Sequence, residues 1–541
     1  MVEHLSDDQI YKLNRGGHDP DKVYAAYAEA MRTTGQPTVI LAHTVKGYGT
    51  GVKGESQMST HSLKKLDRET LQAFRDKYMI PLSDEELESA PYYRPPADQP
   101  EMQYMHQKRR ELGGYLPARQ DDFEALQAPP LEAFKAQLAS SGERQLSTTM
   151  AFVRMLSTLT KDKRIGKRIV PIVPDEARTF GMEGLFRQLG IYSSSGQLYE
   201  PVDAAQVMYY KEDKKGQMLE EGINEAGAMS AWIALATAYS NYNCPMIPFY
   251  VYYSMFGHQR IGDLCWLAGD IQARGFLIGA TSGRTTLNGE GLQHQDGHSQ
   301  ILANTVPNCV SYDATFAYEV AVIVQDGIRR MYQDKEAVYY YLTLLNENYP
   351  HPDMPEHAPE GIIKGMYCYQ KAAAESKHRV QLLGSGSILR EVIAAADLLR
   401  DEFDVEADIW AVTSFNELTR DGQDIQRWNM LHPDQPEREC HVTQCLKDQP
   451  GPVIATSDYM KNYADQIRAW VPGHYRVLGT DGFGRSDSRQ KLRHFFEVDR
   501  YFITVAALKS LHDEGSITAD LVTKAIQRFG IDPEKPTPLK S

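Results

Sequence analysis

Hydrophobic residues in this chain occur as short unbroken runs separated by amphipathic stretches, which is the pattern of parallel strands alternating with helices. Three such runs predict strands over residues 168–177, 246–257 and 275–283. Residues 226–240 lie between the first and second of these strands, and residues 261–270 follow the second strand and precede the third. Both stretches predict helices long enough for crossover connections. The middle of the chain is therefore predicted to form a βαβαβ parallel sheet.

The same alternation returns after a Pro-rich segment at residues 351–361. Strands and helices are predicted here in the order strand 379–387, helix 388–403, strand 408–414, strand 452–458, helix 459–470 and strand 475–484. This order predicts a further parallel-sheet domain.

The N-terminal part begins with a predicted helix at Asp19-Pro20, a residue pair typical of a helix start. The apolar run at residues 38–44 predicts a buried parallel strand. A Gly-rich polar loop at 46–61 offers nothing to a core and is expected to be mobile. Residues 84–145 are rich in Pro, Gln and charge, and they are interpreted as a linker.

Length and charge narrow the class of protein. The 541 residues suggest three or four domains at roughly 150 residues each. The net charge of -14 leaves no broad basic surface, so nucleic acid and anionic membranes are unlikely partners. No apolar run reaches the roughly 18 residues of a membrane span, and no secretory signal is visible, so a cytoplasmic location is expected.

The six cysteines are scattered, which suits reduced thiols. Only Cys440 and Cys445 are close together, with His441 between them. A zinc site is disfavoured against ordinary thiols there, because a second ligand pair is missing.

Polar residues that directly follow apolar strands are the candidates for chemistry, because ligands of parallel sheets bind beyond the carboxyl ends of the strands. Asp175 and Glu176 follow the first strand. They could bind a substrate cation or shift each other's pKa, or they could serve as a helix cap and a first-turn acid. Glu225 begins a largely apolar helix, either as a cap or as a partly desolvated functional carboxyl. Tyr252, Tyr253, Phe256 and His258 follow the second strand and could face a planar ring, with core packing as the alternative.

The segment 281–299 is dense in Gly, His, Asp and hydroxyl groups. His294 and His298 have the spacing of helical metal ligands, but the glycines favour a loop with one histidine as acid or base. Gly384 to Ser387, a Gly-Ser-Gly-Ser sequence, lacks the third glycine of a dinucleotide fingerprint and is interpreted as a tight turn.

Long ordered blocks of the sequence resemble the bacterial homodimeric pyruvate dehydrogenases, which are thiamine-diphosphate-dependent first components of the pyruvate dehydrogenase complex. The blocks that carry the resemblance are NRGGHDP, ILAHTVKGYG, EEGINEAGAMSAW, YYSMFGHQRIGDLCW, TSGRTTLNGEGLQHQDGHS and LGTDGFGRSDSR, and they extend over essentially the whole chain.

The resemblance implies an α/β thiamin-diphosphate-binding fold with a C-terminal transketolase-like α/β domain. It implies the tail of a pyrophosphate-binding domain plus linker at residues 1–125, a pyrimidine-binding domain at 126–354 and a C-terminal domain at 355–541. The implied reaction is decarboxylation of pyruvate with reductive acetylation of lipoyl groups on the acetyltransferase component. The implied cofactors are thiamine diphosphate and Mg²⁺, and the implied assembly is a homodimer.

The resemblance also assigns residues. Glu225 matches the acid that hydrogen-bonds the aminopyrimidine ring of the cofactor, Phe256 would stack on that ring and Ile223 would support the bent cofactor. Tyr253 and His294 would line the reacting centre, with Glu176 supporting the site. His61 matches a mobile-loop histidine of the transfer to lipoyl, Lys46 is a further cofactor-binding candidate, and residues 193–206 resemble a second mobile loop.

One departure from the family pattern concerns the metal. Thiamine enzymes hold Mg²⁺ with Gly-Asp-Gly and a later Asn, and no Gly-Asp-Gly occurs in this sequence. The chain is therefore expected to lack the N-terminal part of the family chain, with the metal ligands, and to be inactive or weakly active alone, either as a truncated form or as one subunit of a split enzyme. A transketolase-like or other 2-oxo acid enzyme, and a non-catalytic partner subunit, remain alternatives.

Overall fold

The chain divides into two compact units, Met1–Ala118 and Arg119–Ser541. The structure is a computed structural model that describes residues 3–11, 16–115, 121–175, 177–372 and 376–541. The first unit contains four helices among its described residues: α1 Asp7–Tyr11, α2 Pro20–Arg32, α3 Arg68–Lys77 and α4 Pro100–Glu111.

Helix α2 begins where the sequence predicts. The Asp19 carboxylate accepts hydrogen bonds from the amides of Asp21 and Lys22 at 3.1 and 3.2 Å, and Pro20 occupies the first helical turn. The carboxylate and the proline together fix the helix start, which confirms this prediction.

The predicted buried strand at residues 38–44 is wrong. These residues form no strand, and Val39 and Leu41 are 81% and 91% exposed. The physical reason is that a strand needs a neighbouring strand for its backbone hydrogen bonds. The described residues of this unit contain no other strand that could pair with it. Tyr24 and Met31 on α2 are exposed as well, so this unit presents uncovered apolar side chains.

The segment 84–145, which the sequence predicts to be a linker, contains helix α4. Pro100 starts α4, and Lys108, Arg109 and Arg110 fill its last turn, where cations stabilise the helix dipole. None of its side chains is buried. With no apolar face, α4 carries no hydrophobic period by which the sequence could reveal it.

The second unit contains two larger sheets. The strands of the first are β1 Ile169–Val173, β4 Leu219–Glu220, β5 Ile247–Tyr253, β6 Phe276–Ala280, β7 Cys309–Asp313 and β8 Tyr339–Thr343, and a small separate pair is β2 Ile191–Tyr192 with β3 Glu212–Asp213. The first sheet has the order β4-β1-β5-β6-β8-β7, and all its strand pairs are parallel. This confirms the predicted parallel sheet and adds β4, β7 and β8, which the sequence pattern missed.

The second sheet is formed by β9 Met366–Gln370, β10 Arg379–Gly384, β11 Glu406–Val412, β12 Val453–Thr456 and β13 Tyr475–Leu478. Its order is β13-β12-β10-β11-β9, with β9 antiparallel to β11 at the edge and the other pairs parallel. The four predicted strands are confirmed. The predicted turn after β10 is confirmed too: Gly386 has a φ of +53°, and a Cβ there would lie 2.6 Å from Asp313 Oδ2.

Helices cover both larger sheets. They are α5 Lys135–Leu138, α6 Thr148–Leu159, α7 Gly184–Leu189, α8 Glu225–Ala236, α9 Ala238–Tyr242, α10 His258–Asp270, α11 Ser299–Asn304, α12 Ala317–Ile328, α13 Ala358–Lys364, α14 Leu389–Phe403, α15 Phe415–Leu431, α16 His441–Leu446, α17 Asn462–Asp465, α18 Arg489–Phe495, α19 Arg500–Asp513 and α20 Ala519–Arg528. The helix predicted over 459–470 is shorter than expected, because only α17 and a 3-10 turn at Arg468–Trp470 form there.

The core explains why the strands read as apolar runs. Every residue of β1, β6, β7 and β8 is buried, since helices cover both faces of the sheet. Alternate side chains go to opposite faces: Phe249 and Phe276 stack in one core with ring centroids 4.5 Å apart, while Tyr250 and Leu277 lie in the other. Within the described residues, no helix is long and apolar enough to cross a membrane.

Candidate active site

The candidate site lies where the carboxyl ends of β4, β1, β5 and β6 meet. These four strands are neighbours in that order and all are parallel, so the residues that follow them gather at one edge of the sheet. The segments that follow these strands contain most of the residues singled out from the sequence.

Glu225 is the first residue of α8. The helix start is fixed by Asn224, whose side-chain oxygen accepts a hydrogen bond from the Gly227 amide at 3.0 Å. The Glu225 carboxylate therefore does not cap the helix, and its Oε1 accepts a hydrogen bond from Arg260 Nη1 at 2.9 Å. The side chain of Glu225 is 13% exposed, so the carboxylate lies at the surface of the core with one edge open.

Arg260 connects Glu225 to an aromatic ring. Its guanidinium carbon lies 3.9 Å from the centroid of Phe256, within cation–π range. Phe256 ends a short 3-10 turn, Ser254–Phe256, directly after β5, and Arg260 lies in the first turn of the helix that follows. Arg260 was missed from the sequence, because the non-helical Gly257 separates it from the 3-10 turn of Phe256 and no spacing rule relates it to Glu225 on another helix.

Three rings predicted to belong to the site are brought together. The centroid of His294 lies 5.0 Å from that of Tyr253 and 5.1 Å from that of Phe256, and the centroids of Tyr253 and Phe256 are 5.8 Å apart. His294 Nδ1 is buried without a hydrogen-bond partner among the described residues, and the nearest carboxylate oxygen, of Glu290, is 3.7 Å away. The rings of Tyr253 and Phe256 thus lie beside a histidine whose Nδ1 has no hydrogen-bond partner among the described residues.

The loop that carries His294 is held in place by Asp458. Asp458 follows β12 and is completely buried among hydroxyl and amide donors. Its carboxylate accepts hydrogen bonds from the amides of Thr285 and Thr286 at 2.9 and 3.0 Å and from their hydroxyls at 2.6 and 2.5 Å. Gly283 has a φ of +93°, and a Cβ there would lie 2.3 Å from Asp458 Oδ2, so the loop passes directly over the carboxylate.

The loop prediction for 281–299 is confirmed, because residues 281–298 contain only one short 3-10 turn before α11 begins at Ser299. His298 contacts Gln259 Oε1 through Nε2 at 2.7 Å, so the two histidines face different partners. Asp458 was missed from the sequence, although it directly follows an apolar strand and the same rule that selected Asp175 selects it.

Two further members of the strand-end set belong to the core. His258 is buried with both ring nitrogens unpartnered among the described residues, and burial lowers its pKa to about 4. Tyr252 is fully buried, and its ring lies parallel to that of Tyr341. For these two residues the structure favours core packing over ligand contact.

Two carboxylates, Asp175 after β1 and Glu220 at the end of β4, lie near each other at this edge of the sheet. Asp175 has a left-handed φ of +61°, a strained conformation for a residue with a side chain. Burial raises the pKa of Glu220 at the end of β4, and the nearby carboxylate of Asp175 raises it further. Glu176 lies outside the described residues.

Ile223 and the second predicted loop lie next to α8 and β3. Ile223 is 74% exposed immediately before α8, so its side chain has open space in front of it. Within the loop of residues 193–206, the Asp203 carboxylate accepts hydrogen bonds from the Tyr210 amide at 3.1 and 3.2 Å and from Arg178.

Lys46 and His61 belong to the other unit. Lys46 Nζ lies 3.1 Å from His61 Nδ1, and both side chains are exposed. The Gly-rich segment between them contains tight turns and a 3-10 helix at Met58–Ser62. These two candidates are therefore close to each other within the unit Met1–Ala118.

In the part of the chain that the structure describes, no group of three or more His, Cys, Asp or Glu residues could hold a metal ion. Cys445 Sγ lies 3.6 Å from His441 Nε2, and burial raises the pKa of the Cys445 thiol to about 11. A thiol with a raised pKa is a poor metal ligand, because metals bind the thiolate.

Comparison with known proteins defines the class first. The transketolase of Campylobacter jejuni superposes with a TM-score of 0.61 at 15% identity over 91% of this chain and 66% of that chain. The transketolase of Pichia stipitis gives a TM-score of 0.61 at 15% identity over 92% of this chain and 66% of that chain. The fold is thus transketolase-like α/β, and identities this low show the fold alone.

The family follows from the sequence matches. Residues 126–352 match the pyruvate dehydrogenase E1 component middle domain, and residues 365–499 match the transketolase-like C-terminal domain. The pyruvate dehydrogenase E1 component of Pseudomonas aeruginosa is 62% identical over 100% of this chain and 61% of that protein. That of Escherichia coli K12 is 57% identical over 99% of this chain and 60% of that protein.

The chain belongs to the pyruvate dehydrogenase E1 component family, which confirms the resemblance found in the sequence. It spans about 60% of the length of the curated relatives that it matches.

Proposed function

We propose that this chain supplies the pyrimidine-binding and C-terminal portions of a thiamine-diphosphate-dependent pyruvate dehydrogenase. The reaction is decarboxylation of pyruvate and reductive acetylation of lipoyl groups. The observation that carries the proposal is the arrangement of the Glu225 carboxylate, ion-paired to Arg260, beside the rings of Tyr253, Phe256 and His294. Family membership supplies the reaction class.

These residues fit the aminopyrimidine ring of thiamine diphosphate. A heteroaromatic amine needs a carboxyl group at a ring nitrogen, an aromatic face to stack on and polar groups at its rim. Glu225 offers the carboxyl, Phe256 the face and His294 an unpartnered Nδ1. When bound, thiamine diphosphate supplies a nucleophilic carbon and an acceptor for the electron pair released with CO₂.

The roles of the protein residues follow from their chemistry. Glu225 exchanges a proton with the pyrimidine ring nitrogen, and Arg260 holds the carboxyl in place. Phe256 fixes the ring plane, and Ile223 supports the cofactor from the loop before α8. Tyr253 and His294 position the carboxylate and carbonyl of pyruvate.

The remaining assignments rest on the family resemblance. Glu176 supports the site from the pyrimidine-binding domain, Lys46 binds the cofactor, and His61 delivers a proton to lipoyl sulfur during acetyl transfer. In this proposal residues 1–125 are the tail of the pyrophosphate-binding domain plus linker, residues 126–354 bind the pyrimidine and residues 355–541 form the C-terminal domain. The partners are the lipoyl domain of the acetyltransferase component and a second copy of the chain.

The sequence contains no Gly-Asp-Gly, and the described residues contain no group of three or more His, Cys, Asp or Glu that could hold Mg²⁺. We place the ligands of Mg²⁺ and of the diphosphate in the part of the relatives that the chain does not match. The uncovered apolar residues of the first unit, Val39, Leu41, Tyr24 and Met31, suit packing against that part, because exposed apolar groupings of this kind mark contact surfaces. The chain alone is therefore expected to turn over pyruvate weakly or not at all.

The test measures thiamine diphosphate binding by calorimetry and CO₂ release from pyruvate on the same samples. The chain is assayed alone and mixed with the N-terminal segment of the Pseudomonas aeruginosa relative that it does not match. Activity is expected only in the mixture, and Glu225→Gln should remove it while the exposed control Glu360→Gln should not. Turnover of a sugar phosphate instead of pyruvate would favour a transketolase-like enzyme, and no cofactor binding in either sample would favour a non-catalytic partner.

A further inference from the structure

Four arginines surround a cavity in the C-terminal part of the second unit. The cavity has a volume of about 390 Å³ and is lined by Arg390, Arg489, Arg493 and Arg500 together with Glu347, Glu391, Gln490, Asp499 and Tyr501. Its volume falls in the range of small-molecule sites, about 300–1,000 Å³. None of these residues belongs to the proposed pyrimidine site, and the inference below does not depend on the proposed function.

The carboxylates of the cavity do not neutralise its arginines. Glu347 pairs with Arg390 and Arg493 at 2.6 and 2.5 Å, and Glu391 pairs with Arg500 at 2.9 Å. Asp499 also accepts hydrogen bonds from the amides of Tyr501 and Phe502, and it contacts His494. Three carboxylates thus face four guanidinium groups, so the lining carries one excess positive charge.

Arg489 is the cation without a carboxylate. Its Nε donates to the Thr286 carbonyl at 2.6 Å and its Nη2 to Asn346 Oδ1 at 3.2 Å, and both acceptors are neutral. Among the described residues no carboxylate lies within salt-bridge distance of it. Burial lowers the pKa of its guanidinium, the neighbouring Arg493 and Arg390 lower it further, and Glu347 and Asp458 act in the opposite direction.

A second observation points to a ligand. The side chain of Arg493 is only 5% exposed, and its Nε donor has no hydrogen-bond partner in the described part of the chain. A buried unpartnered donor on a charged group destabilises the fold, and such donors are normally satisfied by water or by a ligand. Arg489 and Arg493 lie four residues apart, so they project from one side of α18.

We infer that this cavity, which we call the arginine cavity, binds a phosphate group, either as the free anion or as a phosphate monoester. Guanidinium groups match phosphate because their N–H donors meet its oxygens, and Arg493 Nε is a donor without a partner among the described residues. An anion would offset the excess positive charge that four arginines carry against three carboxylates.

Hydrogen bonds connect the arginine cavity to the loop that carries His294. Arg489 bonds the Thr286 carbonyl, and Arg493 Nη2 donates to Ser387 Oγ at 3.3 Å, which in turn contacts the Thr286 hydroxyl. An anion that orders these two arginines therefore also restrains residues 281–299. Slower amide hydrogen exchange in that loop is the structural signature of occupancy.

The test is calorimetric titration of the whole chain with inorganic phosphate, with adenosine monophosphate and with adenosine, all at constant ionic strength set by chloride. Phosphate or the monoester is expected to bind and adenosine is not. The tighter of the two phosphate ligands identifies the source of the group. No heat above the chloride background for either of them would overturn the inference.

Two variants locate the binding. Arg489→Gln should weaken phosphate binding about tenfold or more, equivalent to about 1.4 kcal/mol, while Arg438→Gln removes an exposed arginine elsewhere and should not. If Arg489→Gln fails to fold, Gln490→Glu serves instead, because it places a negative charge at the exposed rim of the cavity without disturbing the core. Its control is Gln435→Glu. Equal affinity in Gln490→Glu and Gln435→Glu would contradict the assignment.

Discussion

Arg260 Nη1 lies 2.9 Å from Glu225 Oε1, and this ion pair joins the first turns of α10 and α8, 35 residues apart along the chain. The arginine is 49% exposed while the glutamate is 13% exposed. Solvent reaches one partner of the pair and not the other, so its contribution to stability lies between those of a surface pair and a buried pair.

A double-mutant cycle with Glu225→Gln and Arg260→Met should give a coupling energy of about 0.5–1.5 kcal/mol in the free energy of unfolding measured with urea. The control is the surface pair Arg32–Glu29, with side chains 72% and 70% exposed, where the coupling should be within about 0.5 kcal/mol. Equal coupling in both cycles would show that Glu225 is as hydrated as a surface carboxylate.

Glu319 gives the stability of the chain a pH dependence. It is fully buried, its Oε2 accepts hydrogen bonds from the amides of Thr315 and Phe316 at 2.6 and 3.0 Å, and its Oε1 accepts one from the Tyr367 hydroxyl at 2.6 Å. Burial raises its pKa from 4.5 to about 7. A carboxyl with a raised pKa in the folded state stabilises the fold below pH 4.5, and that stabilisation is lost as the pH rises towards 7.

The variant Glu319→Gln cannot ionise, so it should escape this loss. Between pH 5 and pH 8 the free energy of unfolding of the wild type should fall relative to that of the variant by an amount of the order of 1–3 kcal/mol. Urea unfolding of both proteins at the two pH values measures this difference. Asp313, whose pKa burial raises to about 6, adds a similar fall in both proteins and therefore cancels in the comparison. Parallel pH profiles of the two proteins would contradict the prediction.

The strands that were predicted from the sequence differ from those that were missed in whether their buried residues are all apolar. β1 and β6 consist of apolar residues and glycine, so they read as strands without any knowledge of their neighbours. β7 contains Ser311 and Asp313, and both are buried because tertiary partners satisfy them: Asn416 Nδ2 donates to Ser311 Oγ at 2.6 Å, and Ser385 Oγ donates to Asp313 Oδ2 at 2.5 Å. Local pattern carries no sign of such distant partners. The opposite error occurs at residues 38–44, where the run is apolar but no neighbouring strand pairs with it.

Asp458 should control the order of the loop that carries His294. In Asp458→Asn one carboxylate oxygen becomes an NH₂ group that faces the donors of one threonine, so about two hydrogen bonds are lost inside the core. The free energy of unfolding should fall by about 2–4 kcal/mol, and amide exchange in residues 284–296 should accelerate. The matched control is Asp465→Asn, since Asp465 pairs with Arg468 at the surface and should cost less than about 1 kcal/mol. Unchanged exchange in the loop would show that Asp458 stabilises the fold without ordering the loop.

The candidate site was foreseeable only where its residues follow strands. Tyr253 ends β5, Phe256 follows it and His294 comes after β6. The rule that ligands bind beyond the carboxyl ends of parallel strands selects these residues before any contact is known. The partner of Glu225 could not be foreseen, because no spacing rule relates residues on two different helices. The sequence also selected His258 and Tyr252 by the same rule, and burial places both in the core instead. A strand end marks a region, and burial then decides which of its side chains can meet a ligand.

The ion pair between Arg274 and Asp121 should anchor the start of the second unit. The Arg274 side chain is 1% exposed and donates to both oxygens of Asp121 at 2.8 and 3.1 Å, to the Lys335 carbonyl at 2.7 Å, and lies 4.1 Å from the ring centroid of Tyr239. Removing the carboxylate leaves a buried guanidinium without its counter-charge. Because Asp121 is 52% exposed, the expected loss in Asp121→Ala is moderate, about 1–3 kcal/mol of unfolding free energy.

The neighbouring Asp122 provides the control, because it is exposed and carries the same charge. Asp122→Ala should change the free energy of unfolding by less than about 0.5 kcal/mol. Asp121→Asn should lie between the two alanine variants, since its amide oxygen still accepts one of the two guanidinium hydrogen bonds. Equal stability of Asp121→Ala and Asp122→Ala would mean that water replaces the carboxylate at Arg274, and the bidentate pair would then contribute nothing to the anchoring of this segment.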